Sequence, residues 1–327
     1  MLSYDVVLCT FNGAKFIAPQ IQSIAKQSIK PATVYIFDDC STDDTVMRLH
    51  ELCRQWQLNA KIVVNESNVG FVKNFEQAIS YACSDVVFLC DQDDIWEESK
   101  AESLITYLLC NEHIDLVFSD ATIVDENGDT LSDSLWRSIH FFPELYDGKG
   151  PRKLLRRLLR SNVVTGATVA FRYSCVRASV PFIAGYPHDA WLALLSAIKG
   201  RLGFVDMKLT RYRQHQENVL GIDKLRGMNK SKLEKGFEPL FLPRVKAYQQ
   251  VLSSQSIPVE VEKDFANVLK LLELRHVIHY NFTLYGACKI LLPPYIVSYF
   301  RFANGAYSLA RDLFIIAKQV FNNNESR

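Results

Sequence analysis

The chain of 327 residues has eight cysteines but no CxxC pair, and it has no long uninterrupted apolar run. Without paired cysteines at that spacing, the sequence indicates neither a zinc site nor a disulfide framework. The apolar stretch ILLPPYIVSYF is eleven residues long and is broken by two prolines, so it is too short to span a bilayer. The N-terminal residues lack a charged segment followed by an apolar core. We therefore expect no signal peptide and a reducing, cytoplasmic location.

The net charge is only +1, but the two signs are segregated along the chain. Residues 1–150 hold 10 Lys+Arg against 24 Asp+Glu, whereas residues 151–213 hold 12 against 2. An acidic half beside a basic segment suits a site that takes a divalent cation together with a phosphate group. Ordinary solvated faces that happen to segregate are the alternative. We expect no nucleic-acid partner.

Short apolar runs alternate with segments of helical spacing in the first part of the chain. The runs are rich in Val and Ile and about six residues long, which is typical of strands; they are YDVVLCT, PATVYIFDD, NAKIVVN and DVVFLCD. The helical patterns between them cover Ile17 to Gln27, Asp44 to Gln57 and Phe71 to Ala82. This alternation predicts an α/β fold whose mostly parallel sheet is covered by helices on both faces.

Polar residues follow each of these four predicted strands. The first ends in TFN, the second in DDCSTDD, the third leads into NESNVG, and the fourth ends in DQDD. In parallel sheets the carboxyl ends of the strands meet at one edge, and ligands bind beyond that edge. The sequence therefore predicts a binding site there.

Three aspartates fall within four residues in FLCDQDDIW: Asp91, Asp93 and Asp94. Carboxylates held close together in a low dielectric repel one another, so a positive partner is expected among them. A hard divalent ion, Mg²⁺ or Mn²⁺, takes carboxylate oxygens and completes its shell with diphosphate oxygens. Alternation along an extended segment predicts Asp93 and Asp94 at the exposed tip. A solvated turn is the alternative, but it needs no cluster of three carboxylates.

The rest of the chain divides in two. IDLVFSDATIVDENGD and NVVTGATVAF read as strands, PRKLLRRLLR as a basic helix, and HDAWLALLSAIKG as a helix closed by Gly200. From about Gly221 strand signals become few, so we predict a domain over residues 1–220 and a helical extension over residues 221–327. Residues 306–321 carry one apolar stripe, formed by Leu309, Leu313, Ile316 and Val320. A helix on a membrane surface, on a partner subunit or packed on its own domain would show the same stripe.

Taken together, these motifs resemble glycosyltransferase family 2, the inverting nucleotide-sugar transferases of GT-A fold. VVLCTFNGAKFI is similar to the family's first strand and turn, and IFDDCSTDDT to its nucleotide-binding segment, with Cys40 where a glycine is common. NVGFVKNFEQAI resembles the third motif, and CDQDDIW the metal-binding DxD element. The variants DQDDIW and RYRQHQENVLG look most like bacterial rhamnosyltransferases that build surface polysaccharides. The resemblance implies a GT-A nucleotide-binding sheet with a C-terminal helical extension.

The resemblance also implies roles for particular residues. The residues expected to bind the nucleotide-sugar donor are Thr10, Asn12, Asp38, Asp39, Asn68, Gly70, Lys73 and Asp91. The residues expected to hold Mg²⁺ or Mn²⁺ are Asp91, Asp93, Asp94 and His215. Structural roles stay open for some of them, because Ser41 with Asp44 forms an acceptable capping box and Lys73 fits an exposed helix lysine. Arg211 and Arg213 would either add charge to a pyrophosphate clamp or face away.

Asp189 in PHDAW is the candidate catalytic base, because glycosyl transfer with inversion needs a carboxylate to take the acceptor proton. His188 stands where the family usually has the first member of an acidic pair. An N-cap for the helix that Trp191 begins is the alternative role of Asp189. Trp136 and Trp191 would either stack on sugars or lie in the core.

The sequence thus predicts a metal-dependent inverting glycosyltransferase. Its best donor is dTDP-rhamnose, with a UDP-hexose as the alternative, and its acceptor is a lipid-linked or growing glycan, with peripheral membrane contact left open. A nucleotidyltransferase is disfavoured because CTFNGAKF has one glycine and one lysine where a triphosphate loop is glycine-rich and basic. A non-catalytic binding module is disfavoured because it has no need for clustered carboxylates.

Overall fold

The structure is a computed structural model that describes residues 2–177, 179–216, 218, 241–253, 257–280 and 283–325. Contacts between Cα atoms divide the chain into two compact units. The first is Met1–Pro151 with Val163–Arg226, and the second is Arg152–Asn162 with Gly227–Arg327. The predicted boundary between residues 220 and 221, and residues 219–221 of the RYRQHQENVLG motif, lie outside the described residues. The inclusion of residues 152–162 in the second unit had no signal in the sequence.

The first four strands are parallel, as predicted. They are β1 (Tyr4–Thr10), β2 (Thr33–Asp38), β3 (Ala60–Val64) and β4 (Val86–Asp91). Strand β1 pairs with β2 on one side and with β4 on the other, and β3 pairs with the far side of β2. Thr10 is in register with Asp38, and Cys9 with Asp91. The register therefore brings the polar ends of these strands to one edge of the sheet.

The remaining strands extend this sheet with mixed directions. They are β5 (Ile95–Trp96), β6 (Leu116–Val124), β7 (Thr130–Ser132), β8 (Val169–Arg172) and β9 (Leu202–Arg213). Among the described residues nine strands form one sheet in the order β3-β2-β1-β4-β8-β6-β9-β5, with β7 paired to β6. Strand β8 is antiparallel to both β4 and β6, whereas β9 is parallel to β6. The α/β class with a GT-A type sheet is confirmed.

The helices of the first unit pack on both faces of this sheet. They are α1 (Ile17–Ala25), α2 (Thr45–Gln55), α3 (Phe71–Ile79), α4 (Lys100–Cys110), α5 (Leu135–Ser138), α7 (Tyr173–Arg177) and α8 (His188–Ile198). Helix α6 (Pro151–Arg160) lies between α5 and α7 in the chain but belongs almost entirely to the second unit. Alternate strand residues such as Val6, Leu8 and Phe88 form one core cluster with α1, α2 and α4. The intervening residues, such as Val7, are equally buried. Burial on both sides explains why these strands are almost continuously apolar.

One predicted strand is shorter than expected. NVVTGATVAF was predicted to be extended throughout, but the strand covers only Val169–Arg172 and follows a 3₁₀ turn at Gly166–Thr168. The Thr168 N–H closes that turn on the Thr165 carbonyl at 2.8 Å. The Gly166 N–H instead donates to the side chain of Asp189 at 2.9 Å, so it is not available to a sheet ladder. The turn thus replaces strand pairing with a contact to a candidate site residue.

The described part of the second unit is helical. Besides α6 it contains α9 (Phe241–Ser253), α10 (Val259–Tyr280), α11 (Leu284–Lys289), α12 (Pro293–Phe302) and α13 (Gly305–Glu325). Buried Asp264 on α10 accepts hydrogen bonds from Arg152 and Arg156 of α6. Buried Asp312 on α13 accepts from Arg275 at 2.8 Å and from the Tyr299 hydroxyl at 2.7 Å. Two basic residues of the predicted basic helix are therefore used inside this unit.

Within the described ranges, no helix is sufficiently long and apolar to cross a membrane. The stripe of Leu309, Leu313, Ile316 and Val320 is partly covered, and Leu313 is 37% exposed. All eight cysteines lie in the described residues and are free thiols.

Candidate active site

The carboxylate of Asp38, which ends β2, is fully buried and engaged by three hydrogen bonds. It accepts from the Thr10 hydroxyl at 2.8 Å, from the Ser41 amide at 2.7 Å and from the Ser41 hydroxyl at 2.6 Å. Thr10 is itself buried at the end of β1. Thr10 and Asp38, both predicted to bind the nucleotide-sugar donor, therefore connect the ends of β1 and β2. Their hydrogen-bonding groups are already largely used by these contacts.

Asp39 holds the loop that precedes α3. Its carboxylate accepts from the side-chain amide of Asn65 at 2.9 Å, from the Val69 amide at 2.8 Å and from the Gly70 amide at 2.9 Å. Asn68 accepts from the same Gly70 N–H at 3.1 Å and is exposed. The predicted residues Asp39, Asn68 and Gly70 are thus brought together. Their direct contact with a pyrimidine stays a prediction.

Asn12 bridges the loops after β1 and β2. Its side-chain oxygen accepts from the Thr42 backbone N–H at 2.9 Å, and its backbone N–H donates to the Ser41 hydroxyl at 2.8 Å. Ser41 is therefore used by Asp38 and Asn12, and helix α2 begins at Thr45 after Asp44. The capping box of Ser41 with Asp44 does not form. Cys40 has φ +66°, a left-handed conformation that explains why a glycine is common there.

Gln92, which the sequence reasoning missed, connects the aspartate cluster to the loop after β1. Its side-chain oxygen accepts from the Phe11 amide at 2.9 Å, and its side-chain amide donates to the Phe11 carbonyl at 3.0 Å. A Cβ atom at Gly13 would lie 2.1 Å from the Gln92 oxygen, so only glycine leaves room for this approach. The signal was a glutamine between Asp91 and Asp93 with a glycine two residues after Phe11.

Asp91 and Asp94 are held in an environment that disfavours their charge. Burial raises the pKa of Asp91, and the charges of Asp93 and Asp189 raise it further. No described residue donates a side-chain or backbone hydrogen bond to the Asp91 carboxylate. Burial also raises the pKa of Asp94 well above its usual range. Asp94 is 1% exposed and the Asp93 side chain is 13% exposed, so the prediction that these two residues lie at an exposed tip is wrong.

Asp94 lies inside because β9 covers it. One of its oxygens accepts from the Arg213 amide at 2.9 Å, and the other is buried without a hydrogen-bond partner among the described residues. The Arg213 guanidinium donates to the Asp93 carbonyl at 2.7 Å and to the carbonyls of Asp125 and Glu126 at 3.1 and 2.7 Å. Arg213 therefore anchors the DQDD loop through its backbone.

Asp93 faces His215. His215 Nε2 lies 2.7 Å from Asp93 Oδ2, and the Asn218 side-chain amide donates to the same oxygen at 3.2 Å. The His215 ring is stacked on Phe16 at 4.6 Å, and its Nδ1 is buried without a partner in the described part of the chain. His215 is thus brought to the aspartate cluster as predicted, but by a hydrogen bond to one of its members.

Asp189 is the second residue of α8, whose N-cap position is occupied by Pro187. The expectation that the helix begins near Trp191 with Asp189 as its N-cap is therefore wrong. One carboxylate oxygen accepts from the Gly166 amide at 2.9 Å, and the other accepts from the Ala190 amide. Burial raises the pKa of Asp189 to about 6, although these two N–H groups oppose the shift. Strand β8 runs antiparallel to β4, so the turn that precedes β8, and that donates to Asp189, lies at the carboxyl end of β4, where Asp91 is.

His188 lies behind Asp189 in the core. Its ring is stacked on Phe75 with a centroid distance of 4.1 Å, and burial lowers its pKa to about 3. Neither of its ring nitrogens has a hydrogen-bond partner among the described residues. His188 is therefore a neutral residue that packs in the core. It does not take over the function of the acidic side chain that the family usually has at this position.

Lys100 is a second functional candidate that the sequence reasoning missed. It begins α4, is fully buried, and its ammonium group lies 3.9 Å from the centroid of the Trp96 ring. Burial lowers the pKa of Lys100 to about 7, and the charges of Asp94 and Asp91 act in the opposite direction. The available signal was a lysine at the start of an otherwise apolar helix face, six residues after Asp94.

Several expected contributors lie outside this cluster. Lys73 is exposed and forms an ion pair with Glu76 one helical turn away. Arg211 is half exposed and pairs with Glu97 at 2.9 Å. Trp136 and Trp191 are both buried in the core, and the Trp191 indole N–H donates to the Ser179 carbonyl at 3.0 Å. These residues have structural partners of their own.

The carboxylates fit a divalent cation only in part. Within the described residues, no group of three or more His, Cys, Asp or Glu side chains is arranged so that it could hold a metal ion. The four predicted ligands are therefore not assembled as one set, because Asp94 is turned onto Arg213 and His215 onto Asp93. Mg²⁺ and Mn²⁺ are nevertheless commonly held by one or two carboxylates and the phosphates of the substrate. The unbonded Asp91 carboxylate next to Asp93 matches that simpler ligand set.

Comparison with known proteins identifies the family. A family model described as Glycosyl transferase family 2 matches residues 5–176, just over half of the chain. The chain belongs to glycosyl transferase family 2. The match includes the ends of β1, β2 and β4 and the turn at Gly166–Thr168, and it stops before Asp189.

Two relatives have names that state a nucleotide. The chain is 25% identical over 231 residues to "dTDP-rhamnosyl transferase RfbG" of Shigella flexneri, covering 65% of this chain and 73% of that protein. It is 25% identical over 224 residues to "UDP-Glc:alpha-D-GlcNAc-diphosphoundecaprenol beta-1,3-glucosyltransferase WfgD" of Escherichia coli, covering 66% and 78%. Against several other curated relatives, the chain spans 38% to 60% of the relative's own length.

Solved structures share the fold. S. aureus TarS in complex with UDP-GlcNAc aligns with a TM-score of 0.60 at 17% identity, covering 91% of this chain and 79% of that one. The mannosyltransferase PcManGT of Pyrobaculum calidifontis, in complex with GDP-Man and Mn²⁺, aligns with a TM-score of 0.57 at 14% identity, covering 100% and 88%.

Proposed function

We propose that the protein is a metal-dependent inverting glycosyltransferase that moves a sugar from a nucleoside diphosphate donor to a hydroxyl of a lipid-linked or growing glycan. The observation that carries this proposal is the hydrogen bond from Gly166 to Asp189, because it holds Asp189 on the turn that lies between β8 and the carboxyl end of β4. A carboxylate from α8 is thereby held at the end of the strand that carries Asp91. An inverting transfer needs this combination of a base and an anchor for the leaving group.

Asp189 is the catalytic base in this proposal. As the acceptor oxygen bonds to the anomeric carbon of the donor sugar, the bond from that carbon to the diphosphate oxygen breaks, and Asp189 takes the hydroxyl proton. The products are the glycoside and a nucleoside diphosphate. A pKa of about 6 keeps the carboxylate mostly ionised at pH 7 and makes it a stronger base than an exposed aspartate. The Gly166 N–H holds its orientation.

Asp91 and Asp93 would hold the divalent cation, Mg²⁺ or Mn²⁺. When bound, the ion neutralises the charge that develops on the diphosphate leaving group. The bonds of Asp94 to Arg213 and of His215 to Asp93 support a role for these two residues in holding the DQDD loop. The Mn²⁺ of PcManGT, a protein of the same fold, is consistent with this assignment.

The proposed donor is dTDP-rhamnose, and the name of RfbG supports it. The names of WfgD and TarS keep a UDP-hexose as the second candidate, because both proteins are described with UDP-sugars. WfgD also supports an acceptor linked to diphosphoundecaprenol.

A lipid-linked acceptor would bring the protein to a bilayer, and the second unit exposes apolar side chains. Helices α12 and α13 expose Val297 (54%), Phe300 (55%), Tyr307 (68%) and Phe314 (64%). Residues 293–320 contain three basic side chains and one acidic side chain, and the acidic one, Asp312, is buried. Arg301 pairs with Asp264 and Arg311 with Asp312, but both arginines stay partly exposed beside Lys318. Exposed aromatic groups with basic side chains among them suit an anionic membrane surface. We expect cosedimentation with phosphatidylglycerol vesicles that Phe300→Asp with Phe314→Asp abolishes; equal recovery with phosphatidylcholine vesicles would contradict it.

The test of the proposed activity is release of nucleoside diphosphate from dTDP-rhamnose, UDP-glucose and UDP-galactose with Mn²⁺. Each donor is incubated with and without GlcNAc-diphosphoundecaprenol as acceptor. We expect one donor to be consumed, with the anomeric configuration inverted in the product. A product with retained configuration, or no consumption of any donor, would overturn the proposal.

A further inference from the structure

We propose that Lys100 is a positioning residue for Asp189, because it fixes the Gly166–Thr168 turn on which the Asp189 carboxylate rests. The inference depends on the proposed role of Asp189 as the base. Lys100 does not touch the reacting atoms in this account, and it acts through the backbone of the turn.

The ammonium group of Lys100 holds the Ala167 carbonyl. Its Nζ donates to that oxygen at 2.6 Å, and the Thr210 hydroxyl of β9 donates to the same oxygen at 3.2 Å. Lys100, Ala167 and Thr210 are all buried. The Ala167 carbonyl, in the middle of the 3₁₀ turn, is therefore held by one hydrogen bond from α4 and one from β9.

The turn connects the Ala167 carbonyl to Asp189 through two peptide groups, because the Ala167 carbonyl shares a peptide group with the Thr168 N–H, and the Thr165 carbonyl shares one with the Gly166 N–H. The Gly166 N–H, one residue before Ala167, donates to Asp189 at 2.9 Å, and the Thr168 N–H closes the turn on Thr165. A Cβ atom at Gly166 would lie 3.2 Å from the His188 ring, so the turn is pressed against the start of α8. A shift of the Ala167 carbonyl therefore moves the group that orients the proposed base.

The location of Lys100 is unfavourable for a residue that serves stability alone. A fully buried cation loses its hydration, and the first position of a helix is the positive end of the helix dipole. The neighbouring charges of Asp91 and Asp94 compensate in part. An apolar side chain would fill the same space without these penalties. A lysine at this position is explained if its N–H donors are needed at the Ala167 carbonyl.

The test compares Lys100→Met with Gln27→Met. Gln27 follows α1 in the chain and also has a long, buried polar side chain. Its side-chain oxygen contacts the start of α4, where it accepts from the Ala101 backbone N–H at 2.9 Å. Its amide group donates to the carbonyls of Ser23 and Glu97. Gln27→Met therefore removes buried hydrogen bonds near the same helix end but removes no hydrogen-bond donor from the Gly166–Thr168 turn. Both variants are expected to lower the melting temperature.

Only Lys100→Met is expected to affect the turn and the reaction. We expect kcat to fall about 10- to 100-fold, as for a slightly misplaced catalytic group, while the Kd for the donor stays within about threefold. We also expect faster hydrogen–deuterium exchange at residues 165–168 in Lys100→Met and unchanged exchange there in Gln27→Met. Thr210→Val should show the same pattern with a smaller effect, and it decides the question if Lys100→Met does not fold.

Three results would overturn the inference. The first is unchanged exchange at residues 165–168 in Lys100→Met or, if that variant does not fold, in Thr210→Val. The second is an equal fall of kcat in Gln27→Met. The third is a loss of donor affinity that accounts for the whole effect, because Lys100 would then serve only the charges of Asp91 and Asp94. If the wild-type protein consumes no donor, the proposed function fails, whereas the exchange measurement still tests the contact.

Discussion

The two strand ends that carry aspartates are built in opposite ways. After β2, Asp38 and Asp39 together accept six hydrogen bonds from Thr10, Ser41, Asn65, Val69 and Gly70. After β4, the Asp91 carboxylate accepts none from the described residues, and Asp94 keeps one buried oxygen without a partner there. The pKa values of Asp91 and Asp94 are raised in consequence of burial and mutual repulsion.

This difference indicates which carboxylates have something to gain from a ligand. A carboxylate whose oxygens are already bonded gains little from a cation, whereas one with a raised pKa is stabilised when a positive charge arrives. We infer that the β2 end holds the loops in place and that the β4 end is the place for the ion and the diphosphate. The predictions below address this contrast, beginning with the largest effect.

Asp189→Asn is expected to lower the rate of transfer by about 10²- to 10⁴-fold, since the general base is lost while the bond from Gly166 can persist. Donor affinity should be retained. In the wild-type protein kcat should rise with pH through about 6, because the base must be deprotonated, and this limb should disappear in the variant. Rates of donor consumption between pH 5 and 8 provide the measurement. Exposed Asp206 supplies the control, Asp206→Asn, and an unchanged limb at pH 6 would remove Asp189 from the chemistry.

Asp38→Ala is expected to lower the free energy of unfolding by about 2–4 kcal/mol, because three hydrogen-bond donors lose a buried, charged acceptor. Urea unfolding measures this loss. Where the variant remains folded, its affinity for a nucleoside diphosphate with Mn²⁺ should stay close to that of the wild type. A stable Asp38→Ala variant that has lost nucleotide affinity would contradict the assignment of the ligand site to the β4 end.

His188→Leu tests whether the buried, uncharged histidine costs stability at acid pH, in contrast to the aspartates at the β4 end. Both ring nitrogens of His188, like one oxygen of Asp94, are buried without a partner among the described residues, but His188 is uncharged and enclosed by aromatic rings. Its pKa is about 3 in the folded state and ordinary in the unfolded state, so the unfolded state binds more protons between these values. The histidine therefore costs stability as pH falls below about 6.5, by about 2 kcal/mol at pH 5. Urea unfolding at pH 5 and 7 should show this loss in wild type and in a control at exposed His50, His50→Leu, but a smaller loss in His188→Leu. An equal loss in His188→Leu would place the sensitivity elsewhere.

Much of the fold was predictable because its signals are local. The runs that form β1 to β4 and the helices between them are continuous in the sequence, and their observed ends differ from the predicted ones by a few residues. The insertion of β8 between β4 and β6 was not predictable in this way. It depends on pairing between residues about 80 positions apart, such as Val87 with Phe171, and no local pattern encodes such a choice.

The candidate site was predictable in its residue types but not in its bonding. The motifs identified Asp91, Asp93 and Asp189, yet the burial of Asp94 follows from Arg213, 119 positions away. Likewise, Asp39 is bonded by a loop about 30 positions further along the chain. Lys100 was missed because a lysine in a helix is ordinarily exposed, and its contact with Ala167 joins distant elements.

The most direct test of the central claim is a calorimetric titration of dTDP and UDP, each with and without Mn²⁺. The titration is made into the wild type, Asp93→Ala and Asp38→Asn, with the fold of each variant verified first. The account predicts binding of one nucleotide that depends on Mn²⁺, retained in Asp38→Asn and lost in Asp93→Ala. Binding that survives in Asp93→Ala, or that a folded Asp38→Asn abolishes, would contradict it.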